Sequence, residues 1–242
     1  MDKGKISSGS SELDEWLSGG YDTDIITVFY GPAGCGKTNL CLIAAAEQAA
    51  LGKKVVFIDT EGGFSVERLK QLVEDEKILK NIVMIKATSF YEQKMAFDKL
   101  ESLINKNVSL IVVDSLVMLY RLELGQASSE KNFDKVHIIN RMLAKQLRIL
   151  SGIARTKNVA VLCTDQVYGE FLTEEEIMQG KQKSFNMVGG DIIKYWAKCI
   201  LKLENLQHGR RKAMLVKHRS LPEKRFEFEI INEGIKKRKG LF

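Results

Sequence analysis

Residues 31–38 read Gly31-Pro32-Ala33-Gly34-Cys35-Gly36-Lys37-Thr38, a GxxxxGK[ST] stretch between an apolar run and an Ala-rich segment. Glycines at this spacing let backbone N–H groups turn inward around a phosphate, and a helix starting at the lysine points its positive end at the same anion. In such a loop all eight residues bind the nucleotide. The Lys37 ammonium reaches the β- and γ-phosphates, and the Thr38 hydroxyl binds Mg2+. Three further side chains fit the same chemistry. Asp114 ends the apolar run LIVV, where open α/β sheets gather ligand groups, and its carboxylate can hold Mg2+ through a coordinated water. Glu61, in FIDTEGG, is the choice for the group that orients or deprotonates an attacking water, with Asp59 as its rival. Gln166, at the end of VLCTDQ, can hydrogen-bond a γ-phosphate and report its loss to the segment that follows.

These residues need strands that end together and a helix that begins there. Residues 25–30 (IITVFY) form an apolar strand running into the glycine loop, and residues 37–51 a helix closed by Gly52. Strands follow at 54–59, 82–86, 110–113 and 159–164, alternating with helices at 65–73, 91–104 and 133–157. In the longest helix Val136, Ile139, Met142, Leu143, Leu147 and Leu150 recur near a 3.6 period. Ser11 reads as the N-cap of a short first helix, with Asp14 at its third position and Gly19-Gly20 as its stop. The alternation predicts a mostly parallel sheet covered on both faces. After Gly189-Gly190, the stretches CILKLE, KAMLVK and RFEFEI alternate apolar with polar and predict antiparallel strands added to one edge. The predicted architecture is α/β, one domain over residues 1–242 with a basic, mobile tail from about residue 235.

Composition narrows the function classes. A chain of 242 residues, 45% hydrophobic, supports one substantial core. No apolar run approaches the ~18 residues of a membrane span, and MDKGKISSGSS has no signal-peptide core, so a soluble cytoplasmic protein with no membrane partner is expected. Cys35, Cys41, Cys163 and Cys199 show no metal-ligand spacing and read as reduced core thiols. Residues 1–180 carry 21 Lys and Arg against 25 Asp and Glu, whereas residues 181–242 carry 16 against 6. A basic final quarter on an acidic body points to a polyanion partner.

Taken in order, GPAGCGKT, FIDTEGGFSVERL, LIVVDS with LYR, and VLCTDQV with a later GG resemble the ATPase core of RecA-type recombinases, particularly their archaeal and eukaryotic strand-exchange branch. ISSGSSELDEWLSGG is similar to that branch's core start, so the resemblance covers nearly the whole chain. It implies a RecA-like P-loop NTPase core that uses ATP and Mg2+, with Lys37, Glu61 and Gln166 in catalytic roles and Thr38 and Asp114 on the metal. It also implies that Arg68, in VERL, lies near the adenine, where a guanidinium can stack on the base. With only a few residues before ISSG, the helix-hairpin-helix domain and Phe-x-x-Ala linker of a full-length recombinase are not expected.

The resemblance further places DNA-contacting loops at about 122–132 and 167–188. The second carries Glu174-Glu175-Glu176, which repels phosphate and suits helix packing or partner docking, with Lys181 and Lys183 in partial offset. DNA affinity then falls to Arg210-Arg211-Lys212, Lys217, Arg219 and residues 236–239, as sequence-nonspecific phosphate contacts. In filament-forming relatives the segment before LPE covers a neighbour's ATP. In a homo-oligomer Lys217 or Arg219, ahead of Leu221-Pro222-Glu223, would supply such a cation in trans. The resulting reading is an ATP-binding, weakly hydrolysing, DNA-binding accessory factor of homologous recombination that acts with a full-length recombinase. Two alternatives stand beside it. One is a RecA-like nucleotide switch that regulates a partner without significant turnover. The other is a small-molecule kinase, against which the arginine-free 167–188 segment counts because such enzymes close an Arg-rich lid.

Overall fold

The chain is described here from a computed structural model, which describes residues 4–169 and 185–238. The strands and helices alternate as the apolar runs require. A short pair, β1 (Lys5–Ile6) and β2 (Tyr21–Asp22), brackets helix α1 (Ser11–Trp16). Then come β3 (Ile26–Gly31), α2 (Lys37–Ala50), β4 (Lys54–Asp59), α3 (Val66–Leu72), β5 (Ile82–Lys86) and α4 (Phe90–Leu103). They are followed by β6 (Val108–Asp114), α5 (Met118–Ser129), α6 (Phe133–Lys157) and β7 (Ala160–Gly169). The chain ends with β8 (Phe185–Met187), α7 (Gly190–Trp196), β9 (Cys199–Asn205), β10 (Arg210–His218), β11 (Lys224–Ile231) and β12 (Gly234–Lys237).

One sheet runs β12-β11-β10-β9-β3-β7-β6-β4-β5. From β9 to β5 neighbouring strands are parallel, and β10, β11 and β12 are each antiparallel to the strand before. Strands buried on both faces explain the unbroken apolar runs: Val55, Val56, Phe57 and Ile58 of β4 are all buried. One face packs on α4, α5 and α6 through Val56, Ile58, Val113, Leu143 and Leu147; the other packs on α2 through Phe29, Phe57, Leu162, Leu42 and Ala45. The layered α/β expectation is met, and the 133–157 helix falls where its apolar period put it.

Four details differ from the sequence reading. Helix α1 is capped by Ser10, whose hydroxyl accepts from Leu13 N, and not by Ser11; Asp14 instead accepts from Ser7 Oγ and Ser8 N, both at 2.7 Å. The CILKLE strand is antiparallel to β10, as expected, but its other edge joins β3 in parallel. The first expected DNA loop, 122–132, is largely the body of α5. The basic end contributes Gly234–Lys237 as an edge strand on β11, while residues 239–242 lie outside the described residues.

The cap assignment is testable by urea denaturation. Ser10→Ala is expected to lose about 1 kcal/mol of stability, whereas Ser11→Ala stays close to the parent; the reverse order would restore Ser11 as the cap.

Candidate nucleotide-triphosphate site

Strand register builds the site. Parallel pairing sets Gly31 of β3 opposite Gln166 of β7, and Asp59 of β4 opposite Asp114 of β6. Because Val113 of β6 pairs with Cys163 of β7, Gly31 and Gln166 stand two residues beyond the level of Asp59 and Asp114, on the same end of the sheet. Gly31 is required there: a Cβ on it would sit 2.2 Å from the Leu203 carbonyl oxygen of β9. The loop ends at Gly36, left-handed at φ 101, which caps α2 with no side-chain hydrogen bond. The first-turn amides of this 14-residue helix thus have no side-chain cap and face a cavity of about 210 Å3. Gly36, Lys37, Thr38, Glu61, Gln166 and Arg211 all border it.

Lys37 is buried, and its ammonium donates to the Gly31 and Pro32 carbonyls, both at 2.9 Å. It rests on its own loop, also touching Cys35 Sγ, and forms no ion pair among the described residues. Asp114 is buried at the end of β6, before a cis Asp114–Ser115 peptide. Thr164 Oγ1 donates to Asp114 Oδ1, while Oδ2 is buried without a hydrogen-bond partner among the described residues. A Cβ on Gly63 would lie 3.4 Å from that Oδ2 and 3.6 Å from Thr38 Oγ1. Thr38 and Asp114 therefore face one small space that Gly63 leaves open. Burial raises the Asp114 pKa, against the pull of Thr164, Thr38 and Lys37. A hard divalent cation suits this pair of oxygens and supplies the missing counter-charge.

Asp59 and Glu61 differ in their hydrogen bonds. Asp59 Oδ1 accepts from the amides of Glu61, Gly62 and Gly63 at 3.1, 2.8 and 3.2 Å, and Oδ2 accepts from Phe64 N at 3.2 Å. Asp59 is the anchor of the TEGG turn, with both oxygens engaged. That turn turns Glu61 toward Gln166, whose Nε2 donates to Glu61 Oε1 at 2.8 Å. Burial, then the Asp114 charge, pushes the Glu61 pKa up, opposed by Ser115, Gln166 and Lys37. A carboxylate raised in this way is a better proton acceptor than an exposed one.

Other expectations fare differently. Arg68 donates from Nε to Asn39 Oδ1 (2.9 Å), from Nη1 to Gln71 and Asn232 O, and from Nη2 to Ile231 O and Gly234 O. Its edges tie α3 to the β11–β12 turn, which leaves only the guanidinium faces for stacking. Arg219 is paired within the chain, to Asp24 at 2.6 Å and Asp22 at 3.1 Å. Neighbouring His218 accepts at Nδ1 from the amides of Ser220 and Leu221, so its proton sits on Nε2, 3.4 Å from Asp22. Lys217 donates to the Lys194 carbonyl at 2.6 Å. Neither cation is poised for a neighbour's nucleotide. Glu174, Glu175, Glu176, Lys181 and Lys183 lie outside the described residues. The cysteines are free and buried, as read, and no described helix is long and apolar enough to cross a membrane.

Two residues escaped sequence reasoning. Arg211 reads in sequence as part of a basic run, yet it borders the phosphate cavity. Asp165, next to Gln166, is fully buried with neither oxygen hydrogen-bonded among the described residues. Its burial raises its pKa from 3.8 to about 8, moderated by Lys37 and the nearby amides of Gln166 and Val188. Strand alternation placed both positions, but nothing in the one-dimensional pattern marks which face carries the ligand.

The Rad51 family model matches residues 3–238. The DNA repair and recombination protein RadB of Methanocaldococcus jannaschii is 42% identical over 225 residues, covering 92% of this chain and 98% of that protein. The chain belongs to the Rad51 family, in its archaeal RadB branch. The RadB of Methanobrevibacter smithii is 39% identical over 241 residues, covering 97% of this chain and 96% of its own. A crystal structure described as that of the RadB recombinase superposes with a TM-score of 0.77 at 33% identity, covering 97% of this chain and all of the other. The RecA-like fold, with its mostly parallel sheet and antiparallel C-terminal strands, is thereby that of the family.

Asp165 yields a pH prediction. Its folded pKa exceeds its ordinary value of 3.8, so its stabilising contribution is complete below about pH 4 and is lost as pH rises toward 8. Asp165→Asn is expected to melt above the parent by a margin that widens across that window, reaching roughly 5 °C. A margin constant from pH 4 to 8 would contradict the buried, unpartnered carboxyl.

Proposed function

We propose that this RadB-family chain is an ATP-binding, weakly hydrolysing, DNA-binding accessory protein of homologous recombination and DNA repair, working as one ATPase unit with a full-length recombinase. The observation that carries the nucleotide part is the convergence of Lys37, Thr38, Asp114, Glu61 and Gln166 on the open end of one parallel sheet. The family name, and the relatives' description as DNA repair and recombination proteins, support the biological setting.

The chain's own groups divide the work. The amides of residues 33–38 and the start of α2 receive the phosphate oxygens. Lys37 leaves the Gly31 and Pro32 carbonyls and follows the transferred charge. Thr38 and Asp114 would hold Mg2+, which when bound neutralises the β- and γ-phosphate oxygens. Glu61 orients water toward the terminal phosphorus and takes its proton at a carboxylate oxygen. Gln166 exchanges its bond to Glu61 Oε1 for one to the terminal phosphate, and so links phosphate loss to the end of β7. DNA contact is assigned to the basic surface of the last strands, where Arg210, Lys236 and Lys237 lie; Lys212 contributes less because it pairs with Glu204 at 2.6 Å.

A second reading, a nucleotide switch without significant turnover, draws on one observation. Arg219 is held by Asp22 and Asp24, so no arginine of that segment is available to speed cleavage in a neighbour. Single-turnover phosphate release with and without single-stranded DNA separates the two, since complete absence of cleavage favours the switch.

Lys37→Ala is expected to abolish ATP binding. Glu61→Gln should retain binding while lowering turnover by roughly 10²-fold or more. Equilibrium binding and steady-state phosphate release check both. Parent-like affinity and turnover in Lys37→Ala would reject the assignment.

A further inference from the structure

We propose that Arg211 is a nucleotide-binding residue whose guanidinium grips the diphosphate portion of the bound nucleotide from the β10 side of the glycine loop. The inference rests on the nucleotide reading above and adds to it a cation from the antiparallel extension of the sheet.

The sequence presents Arg210-Arg211-Lys212 as one basic run, but a strand turns alternate residues to opposite faces. Arg211 shares its face with Ala213 and Leu215, which are buried in the layer that packs on α2. Lys212 takes the other face, where it pairs with Glu204. The face-splitting brings Arg211 to the phosphate loop. Measured from where a Cβ on Gly36 would sit, Arg211 Cδ is 3.4 Å away, Arg211 Nε 3.7 Å and Ile230 Cδ1 3.2 Å. Gly36 therefore supplies a left-handed turn and also the space through which Arg211 enters.

The hydrogen-bond account of Arg211 is incomplete in one informative place. Nη1 donates to the Gly209 carbonyl at 2.6 Å, which fixes the planar group. Nε is buried and has no partner among the described residues. A buried guanidinium N–H without an acceptor is unfavourable. None of the acceptors bordering the cavity takes it among the described residues: Glu61 Oε1 accepts from Gln166, Asn39 Oδ1 accepts from Arg68, and Lys37 is a cation. An anionic ligand is the acceptor this geometry wants. A rigid fork held at one nitrogen matches paired oxygens of a diphosphate better than a point charge does. Arg211 enters beside Gly36, whereas Glu61 and Gln166 come from the ends of β4 and β7. Its contact is thus with phosphates common to ADP and ATP, not with the transferred group.

The test is Mg·ADP and Mg·ATP affinity by fluorescent-nucleotide displacement, with nucleotide-induced thermal shift as a second readout. Arg211→Ala is expected to weaken both ligands by a similar factor, about 10- to 100-fold, with Arg211→Lys intermediate. The ratio of ATP to ADP affinity stays at the parent value. Without nucleotide, Arg211→Ala should melt at or above the parent, because it removes an unsatisfied donor; this excludes misfolding as the cause of lost affinity. ADP affinity of Arg211→Ala within twofold of the parent overturns the proposal while leaving the nucleotide site intact. Loss of DNA binding with nucleotide affinity unchanged would return Arg211 to the polyanion-contacting run. Failure of the parent itself to bind either nucleotide would remove the underlying reading as well.

Discussion

The site keeps its opposite charges apart. Among the described residues, Asp114 holds a buried carboxylate oxygen without a hydrogen-bond partner, Lys37 rests on two backbone carbonyls, and Arg211 has a buried N–H without an acceptor. In a low-dielectric crevice the easy arrangement is for such groups to neutralise one another. Here the backbone prevents it: the loop carbonyls hold the ammonium, Thr164 holds one side of the carboxylate, and Gly209 holds the guanidinium. Lys37 and Arg211 border one cavity, and Asp114 lies behind Thr38, which lines it. A ligand that brings an anion and a hard cation together completes all three without moving the scaffold, which is what preorganisation means in electrostatic terms.

That separation depends on register. A shift of one residue between β3 and β7 would move Gln166 from the level of Gly31 and turn its side chain to the other face of the sheet. Register is fixed because the strands are apolar on both faces and each face meets its own helical layer. The core therefore does more than stabilise; it sets the height at which the functional ends of β3, β4, β6 and β7 stand. Asp59 shows the same economy of means, as one carboxylate gathers four consecutive amides and so aims the neighbouring Glu61.

Most of this frame was legible in the residues. Buried parallel strands announce themselves as apolar runs, and the 3.6 period of α6 is long enough to fix its ends. GxxxxGKT, Glu61 and Asp114 sit at or just past strand ends, where the topology had to collect them, whereas Gln166 lies within β7, which runs on to Gly169 and not to a stop at Gln166. The illegible parts share a physical reason: they turn on which of two faces or partners a polar residue meets. Ser10 and Ser11 are equivalent in one dimension, and only backbone geometry selects the cap. Arg219 looks like a free basic residue until Asp22 and Asp24, nearly 200 positions earlier, fold against it. The apolar–polar alternation of the 199–205 strand marks its antiparallel pairing with β10 but does not reveal that its other edge pairs with β3 in parallel.

A crystal structure of the protein with Mg2+ and a non-hydrolysable ATP analogue tests the central claim most directly. The account predicts the metal at Thr38 Oγ1 and within one water of Asp114 Oδ2, the Lys37 ammonium moved from the Gly31 and Pro32 carbonyls to phosphate oxygens, and Glu61 and Gln166 both facing the terminal phosphate. An analogue bound in the loop with Glu61 and Gln166 turned away, and no cation between Thr38 and Asp114, would contradict it.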